Sequence, residues 1–157
     1  MTRRVERPWV RTPNFGDVNA EAAAVHPERT VIAFCGDGDF LMSGQELATA
    51  VHHRLPIVVI VVNNSCYGTI RMHQERHYPG RVYGTALTNP DFAAYARAFG
   101  GFGEVVRTTA QFAPAFERAL SCGVPAIVEL RLDPEVITPA TTLSAIRRQA
   151  LARREGP

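Results

Sequence analysis

Hydrophobic and polar positions along this chain fall into two patterns, and their order predicts the fold. Continuous apolar runs of strand length occupy 30–35, 56–62 and 124–132, and a shorter apolar segment lies at 103–107. Because these runs are apolar at successive positions rather than at alternate ones, both faces of each strand are expected to be buried, as in parallel sheets. The pattern therefore predicts four strands of a largely buried sheet.

Helices are predicted between these strands and after the last one. Ser43 followed by Glu46 has the spacing of a capping box, and the apolar positions that follow predict a helix from Ser43 to about Arg54. Strands that alternate with helices predict an α/β fold, a three-layer, open, mostly parallel sheet with helices on both faces. The remaining helices are predicted over 68–75, 111–121, 141–154 and the stretch between Asn89-Pro90-Asp91 and Gly100-Gly101.

The first 29 residues show only weak periodicity. They contain two prolines before position 14 and an alanine-rich patch at 20–24, where a short helix can form. We therefore expect 1–29 to be an ill-defined N-terminal arm and 30–157 to be the folded domain. A chain of 157 residues has the length of one domain with a sizeable core.

The charged residues exclude several classes of function. All 17 basic residues are arginine, so the chain has no lysine for a Schiff base or for the phosphate-binding loop of nucleotide hydrolases. A net charge of +2 is too small to indicate nucleic acid or an anionic membrane as a partner. The longest apolar run, 57–62, is far shorter than the ~18 residues of a membrane span, and the first residues lack an apolar signal core. We expect no membrane association and no targeting segment.

The three cysteines, Cys35, Cys66 and Cys122, are widely spaced and include no C-x-x-C pair. This spacing favours neither a disulfide framework nor a zinc-thiolate site. It fits a reducing compartment, and the cytoplasm is the expected location.

Polar residues follow the first two predicted strands at their carboxyl ends, in the segments 36–39 and 63–68. Ligands of open parallel sheets bind at this edge. The carboxylate of Asp37, the side-chain carbonyl of Asn64 and nearby backbone carbonyls are the hard oxygen ligands that Mg²⁺ or Ca²⁺ requires. The glycines of both segments let backbone N–H groups approach a phosphate closely. Taken alone, however, Gly-Asp-Gly is more often a turn than a metal site.

The spacing of the two segments resembles the fingerprint of thiamine diphosphate-dependent enzymes. Gly36-Asp37-Gly38 is followed by a predicted helix, a buried strand and Asn63-Asn64, with the second asparagine 27 positions after the aspartate. The intervening Gln45-Glu46-Leu47-Ala48-Thr49-Ala50 is similar to the same helix in acetolactate synthase-like enzymes. Over about 29–146, the chain resembles the C-terminal diphosphate-binding domain of this superfamily, which includes acetolactate synthase, benzoylformate decarboxylase and pyruvate oxidase.

The resemblance implies two cofactors, thiamine diphosphate and Mg²⁺, and a role for each loop residue. Asp37 and the side chain of Asn64 would ligate the metal together with the backbone carbonyl of Cys66. Asp39 stands where the family often has a serine, and its carboxylate would repel phosphate unless it turns away. The cofactor-binding residues that the resemblance implies, through their backbone amides, are Gly36, Gly38, Asp39, Gly68 and Thr69.

Two features of the family have no counterpart in the sequence. Segment 8–15 does not match the glycine-rich loop whose bulky apolar residue supports the bent cofactor, and nothing resembles the pyrimidine-binding domain that carries the activating glutamate. The resemblance therefore implies a fragment or single subunit of an acetolactate synthase-like 2-oxo acid decarboxylase or carboligase. It further implies a separate pyrimidine-binding domain or subunit and a homo- or hetero-oligomer. No catalytic residue is assigned, and we expect the chain alone to be inactive.

Three alternatives accompany this hypothesis. A catalytically inactive truncated fragment that keeps the fold is not distinguished by sequence from a subunit of a split enzyme. A phosphatase-like or receiver-like magnesium protein, with Asp37 as nucleophile, would place aspartates at several strand ends, whereas only the first strand has them. His73 and His77 stand four apart on a predicted helix, but no third zinc ligand has a matching spacing, which favours a polar surface or cleft edge.

Overall fold

The computed structural model describes residues 10–12 and 17–155, with side chains over 20–154. These residues form a parallel sheet of five strands in the order β1-β2-β3-β5-β4. In the register of the sheet, Gly36 pairs with Val62 and Asn63 pairs with Arg131, so the carboxyl ends of three neighbouring strands lie side by side. The strands are β1 (Val10–Thr12), β2 (Val31–Gly36), β3 (Val58–Asn63), β4 (Phe102–Val106) and β5 (Ala126–Arg131).

The helices connect the strands, and a short antiparallel hairpin precedes the last helix. Within the described ranges, no helix is both long enough and apolar enough to cross a bilayer. The helices are α1 (Asp17–Val25), α2 (Asp37–Ser43), α3 (Leu47–His52), α4 (Gly68–His77), α5 (Phe92–Ala98), α6 (Thr109–Ser121) and α7 (Leu143–Glu155). The hairpin consists of β6 (Val136–Thr138) and β7 (Thr141–Thr142).

The sheet is packed on both faces. One core lies between the sheet and helices α1, α2, α3 and α5, and the other lies between the sheet and α6. Neighbouring strand residues such as Val58 and Val59 belong to different cores, because successive side chains of a strand point to opposite faces. The predicted three-layer α/β fold is confirmed.

The segment expected to be an ill-defined arm, 1–29, contributes two elements to the described structure. Strand β1 pairs in parallel with β2, with Val10 opposite Val31 and Thr12 opposite Ala33, and α1 connects the two strands. The sheet therefore has five strands rather than the four predicted. A strand of three residues contains too few positions for a hydrophobic period to be recognised. Residues 1–9 and 13–16 lie outside the described ranges. The expectation for the segment 8–15 therefore falls mostly on residues that the structure does not describe.

The predicted helix from Ser43 to about Arg54 is wrong in its start. The chain enters α2 directly at Asp37 and leaves it at Ser43, and a 3-10 turn, Gly44–Glu46, then leads into α3. The Ser43 side chain makes no capping hydrogen bond to this turn. The chain folds tightly here, since a Cβ at Gly44 would lie 2.6 Å from the Phe40 ring. The capping box is therefore absent, and Glu46 instead accepts a hydrogen bond from the Thr49 hydroxyl at 3.0 Å.

Helix α7 is attached to α4 through a buried carboxylate. Glu75 of α4 is fully buried and accepts hydrogen bonds from Arg147 Nε of α7 (2.8 Å), Arg71 Nε (2.9 Å) and the Gly80 N–H (3.0 Å). The hydrogen bonds from Arg147 are the main cause that lowers the pKa of Glu75 from 4.5 to about 2. The carboxylate is therefore ionised at neutral pH and joins the last helix of the chain to the helix that follows the second polar loop.

Candidate functional site

The two polar segments singled out from the sequence lie next to each other at the carboxyl edge of the sheet. Asp37 follows β2 directly, and Asn64 follows the last residue of β3. Because β2 and β3 are hydrogen-bonded neighbours up to the Gly36–Val62 pair, both segments leave the sheet at the same level. The topology thus brings together the residues that the sequence analysis assigned to one site.

Asp37 is held by hydrogen bonds to both of its carboxylate oxygens. Only 3% of the residue is exposed; Oδ1 accepts from the Gly38 N–H at 2.9 Å, and Oδ2 accepts from Asn89 Nδ2 at 2.7 Å. A carboxylate has about four lone-pair positions, so these two donors leave others for a further ligand. Asp39, in the first turn of α2, is partly exposed.

The loop after β3 is shaped by two asparagine side chains. Asn63 Oδ1 accepts from the Ser65 N–H at 3.1 Å, and Asn64 Oδ1 accepts from the Cys66 N–H at 3.2 Å. These bonds support an unusual backbone, because Ser65 has a φ of 54°, in the left-handed region that few non-glycine residues adopt. An antiparallel bridge between Cys66 and Ala86 fixes the far side of the loop. The side-chain oxygen of Asn64, Oδ1, is therefore held at a defined position beside β3.

Two glycines allow the loops to approach each other. A Cβ on Gly38 would lie 2.5 Å from Cε1 of Tyr67, so the turn after β2 contacts the loop after β3. A Cβ on Gly68 would lie 3.0 Å from Asn64 Nδ2. A larger residue at Gly38 would displace the Tyr67 ring, so glycine allows this contact between the loops. Helix α4 has ten residues and begins with Gly68 and the exposed Thr69. The first backbone N–H groups of a helix have no partner within it, and those of α4 lie at this edge of the sheet.

The oxygen atoms at this edge suit a hard cation. In the part of the chain that the structure describes, no group of three or more His, Cys, Asp and Glu side chains is arranged to hold a metal ion. A metal site built on Asp37 would combine its carboxylate with neutral oxygens such as those of Asn64 and the backbone. Such a set is typical of Mg²⁺ that takes its remaining ligands from phosphate and water.

Cys66 and the histidine pair offer weaker chemistry. Burial raises the pKa of the Cys66 thiol, which keeps it protonated and unreactive at neutral pH. The His73 and His77 rings stack on the exposed side of α4, with their centroids 6.1 Å apart. No third side-chain ligand joins them among the described residues.

Sequence analysis missed a chain of hydrogen-bonded polar side chains behind the site, of which Asn63 and Glu129 are buried. Asn89 Nδ2 donates to Asn63 Oδ1 at 2.9 Å, and Asn63 Nδ2 donates to Glu129 Oε1 at 2.7 Å. Arg131 Nε donates to the same Glu129 oxygen at 2.8 Å. Glu129 is fully buried in β5, and its presence inside an apolar strand was the one available signal. Asn89 gave no separate signal, because Asn-Pro-Asp also marks a helix start.

Known proteins are similar to this chain in sequence and in fold. Residues 18–130 match the family model described as thiamine pyrophosphate enzyme, C-terminal TPP binding domain. The chain is 40% identical over 129 residues to the putative thiamine pyrophosphate-containing protein YdaP of Bacillus subtilis, covering 81% of the chain and 22% of that protein. It is 34% identical over 124 residues to the large subunit of Escherichia coli acetolactate synthase isozyme 2, covering 78% and 23%.

A solved structure is similar to this chain in its fold. The thiamine diphosphate-dependent 4-hydroxybenzoylformate decarboxylase of Rhodococcus jostii RHA1 superposes with a TM-score of 0.68 at 30% identity, over 73% of this chain and 22% of that one. The chain thus spans less than a quarter of the length of each of these relatives. With a family match over most of its length and the expected loops at the carboxyl edge of the sheet, the chain belongs to the thiamine pyrophosphate-dependent enzymes, as their C-terminal, cofactor-binding domain.

Proposed function

We propose that this chain binds the diphosphate of thiamine diphosphate through Mg²⁺. In this proposal, Asp37, the side chain of Asn64 and the backbone carbonyl of Cys66 ligate the metal. The observation that carries the proposal is the contact between the two loops, which holds an ionisable carboxylate and neutral oxygens at one edge of the sheet. The backbone amides proposed to surround the diphosphate are those of Gly36, Gly38, Asp39, Gly68 and Thr69.

The residues present fit this pair of ligands. The donor set contains one carboxylate, so a bound metal keeps net positive charge toward a diphosphate. Gly68 has no side chain to cover its backbone amide, as close approach of a phosphate requires. The Gly38 N–H donates to Asp37 Oδ1 at 2.9 Å, so a phosphate would have to share this donor with Asp37. The Asp39 side chain is partly exposed, so its carboxylate is free to point away from a phosphate while its N–H serves as donor.

The reaction class follows from the family and is part of the proposal. Bound thiamine diphosphate supplies a nucleophilic carbon and an electron sink for reactions of 2-oxo acids. This chain would anchor and orient the diphosphate end, as a component of an acetolactate synthase-like decarboxylase or carboligase. A pyrimidine-binding domain or subunit would supply the activating glutamate, within a homo- or hetero-oligomer. The alternative, a catalytically inactive fragment that keeps the fold, shares the same binding site and differs in the lack of such a partner.

Calorimetric titration tests the metal site directly. Mg²⁺ is titrated into the full chain with thiamine diphosphate present, for the wild type and for Asp37→Asn, which keeps the size of the side chain and removes its charge. We expect Asp37→Asn to abolish magnesium-dependent binding of the cofactor. The matched control is Asp133→Asn, at an exposed aspartate that accepts a loop hydrogen bond from the Glu135 N–H. Equal binding by the wild type and Asp37→Asn would remove Asp37 from the site.

A further inference from the structure

Asn89 joins the two strand ends that form the candidate site. Its Nδ2 donates to Asp37 Oδ2 at 2.7 Å and to Asn63 Oδ1 at 2.9 Å. Asn89 lies in the loop that precedes α5, 52 residues from Asp37 and 26 from Asn63 in the sequence. One side-chain amide from a third segment therefore connects the segment after β2 to the end of β3.

The orientation of this amide is fixed by its surroundings. With Nδ2 toward Asp37 and Asn63, the amide group donates to two oxygens. The reversed orientation would place the Asn89 oxygen against those same two acceptors, which would be repulsive. The Asn89 Oδ1 atom is buried and has no hydrogen-bond partner among the described residues. Asn89 therefore keeps both hydrogen bonds from Nδ2, although its Oδ1 atom is left without a donor among the described residues.

A neutral donor has a specific effect on Asp37. An arginine at this position would neutralise the carboxylate and compete with a cation for it, whereas an amide fixes the rotamer and leaves the negative charge intact. Arg131, which belongs to the same chain of polar side chains, is directed to Glu129 instead. The Asn89 amide therefore adds no positive charge beside Asp37, and the orientation of the carboxylate is constrained from two sides.

We propose that Asn89 is a positioning residue for the metal, which acts by fixing the Asp37 carboxylate relative to the Asn63-Asn64 loop. This inference rests on the proposed function, because it assumes that Asp37 ligates Mg²⁺. Removing a residue that orients a metal ligand typically lowers metal affinity by about 10- to 100-fold. Asn89→Ala is expected to fall in this range.

The experiment compares two residues of the same loop. Asp91 caps α5 by accepting a hydrogen bond from the Ala94 N–H at 2.7 Å and is a matched control, since it also anchors this loop but is outside the Asp37–Asn89–Asn63 hydrogen bonds. Mg²⁺ affinity in the presence of thiamine diphosphate is measured by calorimetry for the wild type, Asn89→Ala and Asp91→Ala. Mn²⁺ then replaces Mg²⁺, and the electron paramagnetic resonance spectrum of the bound ion reports the symmetry of its ligands.

We expect Asn89→Ala to lower affinity by at least tenfold and to change the Mn²⁺ spectrum, and Asp91→Ala to leave both close to the wild type. Unchanged affinity in Asn89→Ala, or an equal loss in both variants, would overturn the inference and leave the proposed function intact. A wild-type chain that binds neither Mg²⁺ nor Mn²⁺ with the cofactor would overturn both. If Asn89→Ala does not fold, Asn89→Leu, which keeps the number and branching of the side-chain heavy atoms and removes the donor, gives the same comparison.

Discussion

Replacing Glu75 by glutamine should destabilise the protein substantially. The substitution keeps the size of the side chain but removes the charge that Arg147 and Arg71 share, and it introduces an amide group that faces their N–H donors. A pKa lowered from 4.5 to about 2 corresponds to about 3 kcal/mol of preference for the ionised form in the folded state. Breaking a buried ion pair typically costs about 3–5 kcal/mol. Since Arg147 is partly exposed and can be rehydrated, we expect a loss of about 3 kcal/mol.

Urea unfolding at pH 7 measures this loss. The matched control is Glu104→Gln, because Glu104 also pairs with an arginine, Arg118, but both side chains of that pair are more exposed. Exposed pairs contribute little, so the control should lose much less stability than Glu75→Gln. A loss in Glu75→Gln no larger than that of the control would refute the assignment of Glu75 as the attachment of α7.

The pH dependence gives a second test of the same residue. The pKa of Glu75 is depressed in the folded state, so its contribution to stability is present above about pH 4.5 and is lost as the pH falls toward about 2. The difference in stability between the wild type and Glu75→Gln should therefore decrease from about 3 kcal/mol at pH 7 to about 1.5 kcal/mol at pH 3. A difference that stays constant over this range would contradict the depressed pKa.

Two further predictions concern the site and the activity of the chain. Gly38→Ala should lower the free energy of unfolding, measured in urea, by about 1–3 kcal/mol, because the new methyl group would collide with the Tyr67 ring. Gly36→Ala is the control, since a Cβ there would have no atom within 4 Å. Equal losses in both variants would count against the contact between the loops. The chain alone should not accelerate exchange of the C2 proton of thiamine diphosphate for deuterium, followed by NMR, because orienting the diphosphate does not lower the barrier to proton loss. Strong acceleration would require a carboxylate of this chain to replace the absent glutamate.

The parts of the fold that follow from local pattern were predictable from sequence. Strands β2 and β3 are continuous apolar runs because the sheet is covered on both faces, and their ends are marked by a change to glycine, aspartate and asparagine. The start of the helix after Asn89-Pro90-Asp91 was also predictable, because the Asp91 side chain caps it by accepting a hydrogen bond from the N–H of Ala94, three residues later. In each case the signal and its cause lie in one short segment.

The parts that depend on distant segments were not predictable. Arg147, which binds Glu75 from α7, is 72 residues away from it, and Glu129 and Asn63 are separated by 66 residues, so neither contact leaves a trace in the local sequence. Ser43 shows the converse, because its spacing to Glu46 fits a capping box while the tight packing of Gly44 on Phe40 imposes a different turn. Tertiary packing overrides the local signal at that point.

The strand order also determines how the site can assemble during folding. Strands β2 and β3 pair between residues 26 apart, such as Ile32 and Val58, whereas β3 and β5 pair between residues 68 apart, such as Val58 and Ala126. Loop-closure entropy grows with separation, and contacts distant in sequence slow folding. The two loops of the candidate site, after β2 and β3, therefore belong to the part of the sheet that closes at lower entropic cost. The hydrogen bond between Asn63 and Glu129 needs the more costly closure, so we expect the polar chain behind the site to be completed only when β5 enters the sheet.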